Sequence, residues 1–119
     1  MTTQQVADRL VALCKKGEIF KAIDELYADN VVSNEPATSQ MPIKVAKGKK
    51  AVLDKGKAFA ETIEASHGQS ISDPAVGGRF FSIGWSMDAT FKGAGRMKLD
   101  EVCLYEVKDG KIVNEQFYY

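Results

Sequence analysis

Three glutamates occupy positions where an alternating strand pattern would otherwise place apolar side chains. They are Glu35, Glu101 and Glu115. A carboxylate on a buried face must be paired, hydrogen-bonded or protonated, because burying an isolated charge is costly. Burial and nearby negative charge both raise a carboxyl pKa, and such a group suits general acid–base catalysis near neutral pH. We therefore predict a site at these acids, although each could instead reach solvent or pair with a lysine.

A set of aromatic residues and one methionine are candidates for the wall of a pocket around these acids. They are Phe20, Tyr27, Phe59, Trp85, Met87 and Tyr105. Trp85 and Tyr105 carry polar atoms that need partners, which favours a pocket edge. Phe20 and Phe59 fit an ordinary hydrophobic core at least as well.

The remaining reactive residue types predict no second site. Cys14 and Cys103 lie on apolar stripes, without a CxxC or Cys/His cluster, so we expect buried free thiols and no metal or redox site. His67 lies in Ser-His-Gly, which indicates a solvated turn. Arg79 and Arg96 begin strands beside turns and are expected at the surface.

Composition is typical of one globular domain covering residues 1–119, with 45% hydrophobic and 27% charged residues. Lys+Arg and Asp+Glu both number 16, so the chain lacks the positive excess of a nucleic-acid-binding protein. The lysines between Lys44 and Lys57 are interpreted as a solvated helix face. Without a leader pattern or an apolar run of membrane-spanning length, we expect a cytoplasmic protein with no membrane contact.

Three helices are predicted in the first half of the chain. Thr2 and Gln5 have the spacing of a capping box at the start of the first helix, and Gly17 suits its end. The second helix is predicted over Glu18–Ala28, and the third after Gly48. The segment 36–46 has no clear period, which is typical of a loop or of a loop with one short strand.

Strands are predicted in the second half, where the apolar period changes to two. Arg79–Phe91 alternates over its whole length, and a second alternating run covers Met97–Val107. Asp109-Gly110 predicts a hairpin turn, followed by a strand with Val113 and Glu115 on one side. Long hairpin strands after helices indicate an α+β fold with a mainly antiparallel sheet.

Several segments, in order, resemble the SnoaL-like branch of the NTF2-like, ketosteroid-isomerase-like superfamily. They are Glu25–Pro36 (ELYADNVVSNEP), Lys47-Gly48 before the third helix, and the closing hairpin Asp100–Tyr119 (DEVCLYEVKDGKIVNEQFYY). The resemblance implies a cystatin-like α+β cone. Three N-terminal helices would pack in the concave face of a strongly curved, mixed and mainly antiparallel sheet, around a deep hydrophobic pocket.

The resemblance also implies roles for the acids. Glu35, before Pro36, matches the proton-shuttling acid of ketosteroid isomerases, and Glu101 falls at or within one residue of their oxyanion-hole acid. Glu115 matches a pocket-lining position. Leu10 stands where those enzymes have the oxyanion-hole tyrosine, so the steroid reaction is not implied.

Two kinds of function agree with these residues. One is a cofactor-independent acid/base enzyme of isomerase, cyclase or dehydratase type, acting on a small apolar carbonyl-bearing or polycyclic substrate. Glu35 and Glu101 would then be catalytic, and Trp85, Tyr105, Glu115, Tyr27, Met87 and Phe59 would bind the substrate. The alternative is a non-catalytic module that binds a hydrophobic ligand or a protein.

A homodimer is expected in either case. The outward-facing positions of the predicted sheet include apolar residues, and large exposed apolar patches usually mark interfaces. The residues are Phe80, Val102, Leu104 and Tyr118. Superfamily members often pair through this face.

Overall fold

The structure, a computed structural model, describes residues 1–119. Its three helices are α1 (Thr3–Lys15), α2 (Ile19–Leu26) and α3 (Lys49–Glu61). The predicted capping box is confirmed: the Gln5 N–H donates to Thr2 Oγ1 at 3.1 Å, and the Thr2 N–H donates to Gln5 Oε1 at 2.9 Å. Gly17 has the expected left-handed conformation, with φ +74°.

Seven strands form one curved sheet. They are β1 (Tyr27–Asn34), β2 (Val45–Lys47), β3 (Ile63–Ile71), β4 (Ala75–Gly77), β5 (Phe80–Phe91), β6 (Gly95–Lys108) and β7 (Lys111–Tyr118). The order is β2-β1-β7-β6-β5-β3, with β4 also pairing with β5. Only β1 and β7 are parallel. The predicted α+β fold, with three helices on a mixed and mainly antiparallel curved sheet, is confirmed.

The boundaries differ from the sequence expectation at two places. The second helix ends at Leu26, not Ala28, and Tyr27 already belongs to β1. The change from helix to strand after α3 comes at Ile63, so His67 lies within β3 and not in a turn. Gly68 produced the false turn signal: it has φ +149° beside a shift in the β3–β5 register, which marks a bulge within a continuous strand.

A second irregularity changes which residues of β7 face inward. Val107 pairs with Ile112, whereas Glu106 pairs with Asn114, so the ladder skips Val113. Ile112 is therefore fully buried and Val113 is only partly buried. The inward assignment of Val113 was wrong, while that of Glu115 is confirmed.

The core lies between α1, α2 and the concave side of the sheet. It contains 20 buried residues, among them Leu10, Leu26 and Phe81. Gly56 permits a close approach between α3 and α2, because a Cβ there would lie 3.2 Å from Phe20 Cε1. No helix combines the length and hydropathy needed to cross a bilayer.

Candidate functional site

A cavity of about 1070 Å³ lies between α2, α3, the loop after β1 and the concave face of β5, β6 and β7. Hydrophobic residues make up 20 of the 35 that line it, so a bound molecule would lose most of its contact with water. The charged residues of its lining come from different elements of the fold, including α3, β6, β7 and the loop after β1.

Glu35, Glu101 and Glu115 all line this one cavity. Glu35 directly follows β1, Glu101 lies midway along β6, and Glu115 lies in β7. Strand pairing brings them together: Ser33 of β1 pairs with Glu115, which on its other side pairs with Tyr105 of β6. The three acids that interrupt the apolar pattern are therefore one cluster.

Glu115 is held at the bottom of the cavity by two hydroxyl donors. Tyr27 Oη donates a short hydrogen bond to Oε2, and Ser33 Oγ donates to Oε1 at 2.6 Å. Burial raises the pKa of Glu115, while the two hydrogen bonds and the charge of Lys55 oppose that rise. The group is an anchored part of the cavity floor.

Lys55 is the buried cation of the site. It is only 5% exposed, and its Nζ donates to Ser33 Oγ at 2.6 Å, lies 4.0 Å from Glu35 Oε1, and stands 5.2 Å from the Phe117 ring centroid. For this residue the interpretation of the lysine run as a solvated face was wrong. The available signal was its spacing, three residues after buried Val52 on α3.

Glu35 has one carboxylate oxygen without a protein partner. Its side chain is 7% exposed, Oε1 faces Lys55 at 4.0 Å, and Oε2 is buried without a hydrogen bond. Burial, with a smaller contribution from Glu115, raises the pKa of Glu35, and Lys55 lowers it. A buried unpartnered oxygen in a cavity wall is where a ligand or substrate hydrogen would bind.

Glu101 has a strongly perturbed carboxyl. Burial is the main cause and the negative charge of Glu35 the second, and together they raise its pKa to about 7. Cys103 Sγ donates weakly to Glu101 Oε1 at 3.6 Å, which opposes the rise. Near neutral pH this acid exists in both protonation states.

The predicted wall residues Trp85, Met87 and Phe59 line the cavity, and Tyr27 contributes to its floor. Trp85 Nε1 donates to Gln69 Oε1 at 3.2 Å, so its polar atom has the partner that a pocket edge requires.

Tyr105 is placed differently from the expectation. It does not line the cavity; it is 1% exposed and stacks on Phe81 in the core, with ring centroids 4.7 Å apart. The alternation placed it correctly on the inward face. It could not show that Tyr105 belongs to the core that includes residues of α1 and α2 and not to the cavity wall.

Two residues at the cavity rim were missed. Tyr119 Oη and Ser39 Oγ share a hydrogen bond of 2.7 Å, which ties the loop after β1 to the end of the chain. Burial is the main cause of a raised pKa for Tyr119, and Glu35 and Glu101 add to it. Their separation of 80 residues left no local pattern to indicate the contact.

The histidine, the cysteines and the two strand-end arginines lie apart from the acid cluster or within the core. His67 is exposed, and its Nε2 shares a 2.7 Å hydrogen bond with Thr90 Oγ1. Cys14 and Cys103 are free buried thiols, and burial raises the pKa of Cys14 to about 12. Arg79 and Arg96 form exposed ion pairs with Glu106 and Asp88 respectively.

Comparison with known proteins identifies the family. A family profile described as a SnoaL-like domain matches residues 1–119. A Mesorhizobium loti protein provisionally named a SnoaL-like polyketide cyclase is 38% identical over 100% of both chains, with a TM-score of 0.93. No curated protein sequence matches significantly.

More distant structures share the fold. A provisionally named isomerase from Bacillus subtilis is 20% identical, covering 99% of this chain and 88% of that one, with a TM-score of 0.73. A Xanthomonas campestris protein with a cystatin-like fold is also 20% identical, with 99% and 90% coverage and a TM-score of 0.74. The profile match and the 38% identity, both over the whole length, show that this chain belongs to the SnoaL-like domain family.

Proposed function

We propose that this protein is a cofactor-independent acid/base enzyme of isomerase, cyclase or dehydratase type. Its substrate would be a small apolar compound that bears a carbonyl group, or a polycyclic one. The observation that carries the proposal is the buried, unpartnered Oε2 of Glu35 in an apolar cavity that also contains Glu101. The similar Mesorhizobium loti protein is provisionally named a polyketide cyclase.

Glu35 is the proposed base. Lys55 favours its ionised form against the effect of burial, and Oε2 has no protein hydrogen bond to give up when it accepts a proton. An acidic C–H next to a carbonyl would transfer its proton to Oε2. The electron pair of that C–H bond then moves toward the carbonyl oxygen, which gains negative charge.

Glu101 is the proposed partner acid. Because its pKa is about 7, a large fraction of the molecules carry a proton on Glu101 at neutral pH. That proton would be donated to the carbonyl oxygen as the charge develops, giving an enol. If a C=C bond lies next to the carbon that lost its proton, the enol is a conjugated dienol. Return of the proton from Glu35 to the far carbon of that double bond, and of the enol proton to Glu101, then shifts the double bond and completes an isomerisation with no net change in atoms or charge.

The rest of the cavity would orient the substrate. Trp85, Met87 and Phe59 offer apolar surface to its skeleton. Tyr27 donates a hydrogen bond to Glu115, and the two side chains form the polar floor of the cavity. With water excluded, the electrostatic interactions of the two catalytic acids are stronger than in solution.

Deuterium exchange into β-tetralone tests this proposal. This bicyclic ketone has an acidic C–H beside its carbonyl, and its exchange in D₂O is followed by proton NMR. We expect the protein to accelerate exchange relative to buffer. The rate of exchange with Glu35→Gln should be at least about tenfold lower, since a positioned base contributes roughly 10²–10⁴-fold to a rate. The matched control is Glu64→Gln, an exposed glutamate on β3, which should keep the full rate. Equal rates for both variants would reject Glu35 as the base.

The second candidate function is non-catalytic binding of a hydrophobic ligand, favoured by the predominantly apolar lining of the cavity. Binding of β-tetralone that quenches Trp85 fluorescence, without any acceleration of exchange, would favour this candidate. Trp85 is the only tryptophan and lies on the cavity wall, so the signal reports this site alone.

We also propose a homodimer through the outer face of the sheet. Val102 and Tyr118 are cross-strand partners there, 50% and 52% exposed, and Phe80 is 39% exposed. Light scattering should give twice the chain mass at micromolar concentration, and Val102→Asp should give the monomer because it places a charge in the apolar interface. Val76→Asp is the control that should remain dimeric, because Val76, on β4 and 37% exposed, is the cross-strand partner of inward-facing Phe81 and so lies on the other face of the sheet. A monomeric parent protein would contradict the proposal.

The cytoplasm is the proposed compartment. Both cysteines are free thiols, the state that a reducing compartment maintains.

A further inference from the structure

The buried charges of the cavity do not balance. Glu35, Glu101 and Glu115 face it from three strands or their ends, whereas Lys55 is the only buried cation. Lys55 is already engaged by Ser33 and stands beside Glu35. The other charged lining residues, Lys92, Lys98 and Asp100, are exposed, and their charges are screened by solvent.

One atom in this cluster lacks the partner that its burial requires. Glu115 has two hydroxyl donors, but Glu35 Oε2 has no hydrogen-bond donor although its side chain is only 7% exposed. A donor supplied by a ligand would satisfy that oxygen, and a positively charged donor would do so most strongly.

The lining of the cavity indicates what kind of molecule would carry this donor group. The cavity is lined mainly by apolar residues, including the rings of Phe59 and Trp85. An ammonium group on an apolar skeleton fits both the unpartnered carboxylate oxygen and the apolar lining. The rings attract a cation through their faces, and the lining buries the hydrocarbon. A carboxylate or phosphate would instead add negative charge beside carboxyls already destabilised by burial.

We infer that the cavity binds apolar amines in their protonated form, with the ammonium group between Glu35 and Glu101, and that it discriminates against anions. This inference goes beyond the proposed reaction, since it concerns the charge of the compounds that the site retains and is tested by binding without turnover. An amine bound in this position occupies Glu35 Oε2 and therefore competes with a carbonyl substrate.

Three probes with the same bicyclic skeleton isolate the effect of charge. They are β-aminotetralin, protonated near neutral pH, the uncharged β-tetralol, and β-tetralin carboxylate. Binding is measured by calorimetry and by Trp85 fluorescence. Near pH 8 we expect the amine to bind about tenfold or more tightly than the alcohol, the effect of one charged hydrogen bond. The carboxylate should bind at least about tenfold more weakly than the alcohol.

The pH dependence gives a second readout. Glu101 faces Glu35, Glu115, Lys55 and Cys103, and Tyr119 stands near enough to feel its charge. The pKa of Glu101 is about 7, so lowering the pH from about 8 to about 6 protonates it. The affinity for the amine should then fall about tenfold. The alcohol should show no such loss, because its binding needs no ionised partner.

Variants identify the atoms responsible. Glu35→Gln and Glu101→Gln should each remove most of the preference for the amine over the alcohol, while Glu64→Gln should retain it. Equal affinity for amine and alcohol near pH 8, an unchanged preference in both cavity variants, or no measurable amine binding at millimolar concentration would each overturn the inference. The parent protein separates the two proposals. Exchange of β-tetralone without a preference for the amine overturns only this inference, and a preference for the amine without exchange overturns only the proposed reaction.

Discussion

Replacing Lys55 with methionine should lower the free energy of unfolding by about 3–5 kcal/mol near pH 8, the range for removing one partner of a buried ion pair. Methionine has a similar length and keeps the helix, so the change mainly removes charge. Ser33 Oγ then loses its ammonium donor, and Glu35 faces the cavity without its nearest cation. Urea denaturation at several pH values measures the effect.

The loss in Lys55→Met should be smaller near pH 5. Lys55 lowers the pKa of Glu35, Glu101 and Glu115, so its removal raises all three further. The folded variant then binds more protons than the unfolded chain, and its stability falls as pH rises. Lys57→Met, at an exposed position on the same helix, should change stability little. A Lys55→Met loss equal to that control, or independent of pH, would show that the ammonium is not the counterion of the cluster.

Glu101→Gln should raise the free energy of unfolding by about 2–3 kcal/mol near pH 8. Burial and the charge of Glu35 raise the folded-state pKa of Glu101 from 4.5 to about 7, and each pKa unit corresponds to about 1.4 kcal/mol before screening by solvent is considered. Because the folded pKa is the higher one, the contribution of Glu101 is fully present below pH 4.5 and is lost as the pH rises to about 7. Glutamine keeps the shape and does not titrate.

The difference between Glu101→Gln and the parent protein should therefore be near zero around pH 4.5 and largest above about pH 7. Urea denaturation across this window measures it, with Glu64→Gln as a control that should show no such dependence. A Gln variant less stable than the parent near pH 8 would mean that ionised Glu101 is a structural ion-pair partner, and the assignment of Glu101 as the proton donor would then be lost.

Local patterns predicted a large part of the fold because they depend on neighbouring residues. The capping box at Thr2 and the Asp109-Gly110 hairpin are both present, with positive φ at Asp109 and Gly110 as that turn requires. The alternation of β5 and β6 correctly assigned the inward face of each strand, which includes Phe81 and Cys103.

Local patterns failed where pairing partners decide the structure. Ser66-His67-Gly68 has the composition of a turn, yet β3 continues through it because its hydrogen bonds to β5 outweigh the local preference. The skip at Val113 depends on the register with β6. Neither feature can be seen in a single segment, because each is set by the strand alongside.

The sequence by itself determined that Glu35, Glu101 and Glu115 interrupt apolar faces, since alternation and residue type are local properties. The tertiary structure alone decided that the three share one cavity, that Lys55 points into it, and that Tyr105 lies in the core. The physical reason is that the curvature of the sheet and the position of the helices set the distances between charges from distant segments. Those distances, and the burial that accompanies them, fix the protonation states on which the chemistry of the site depends.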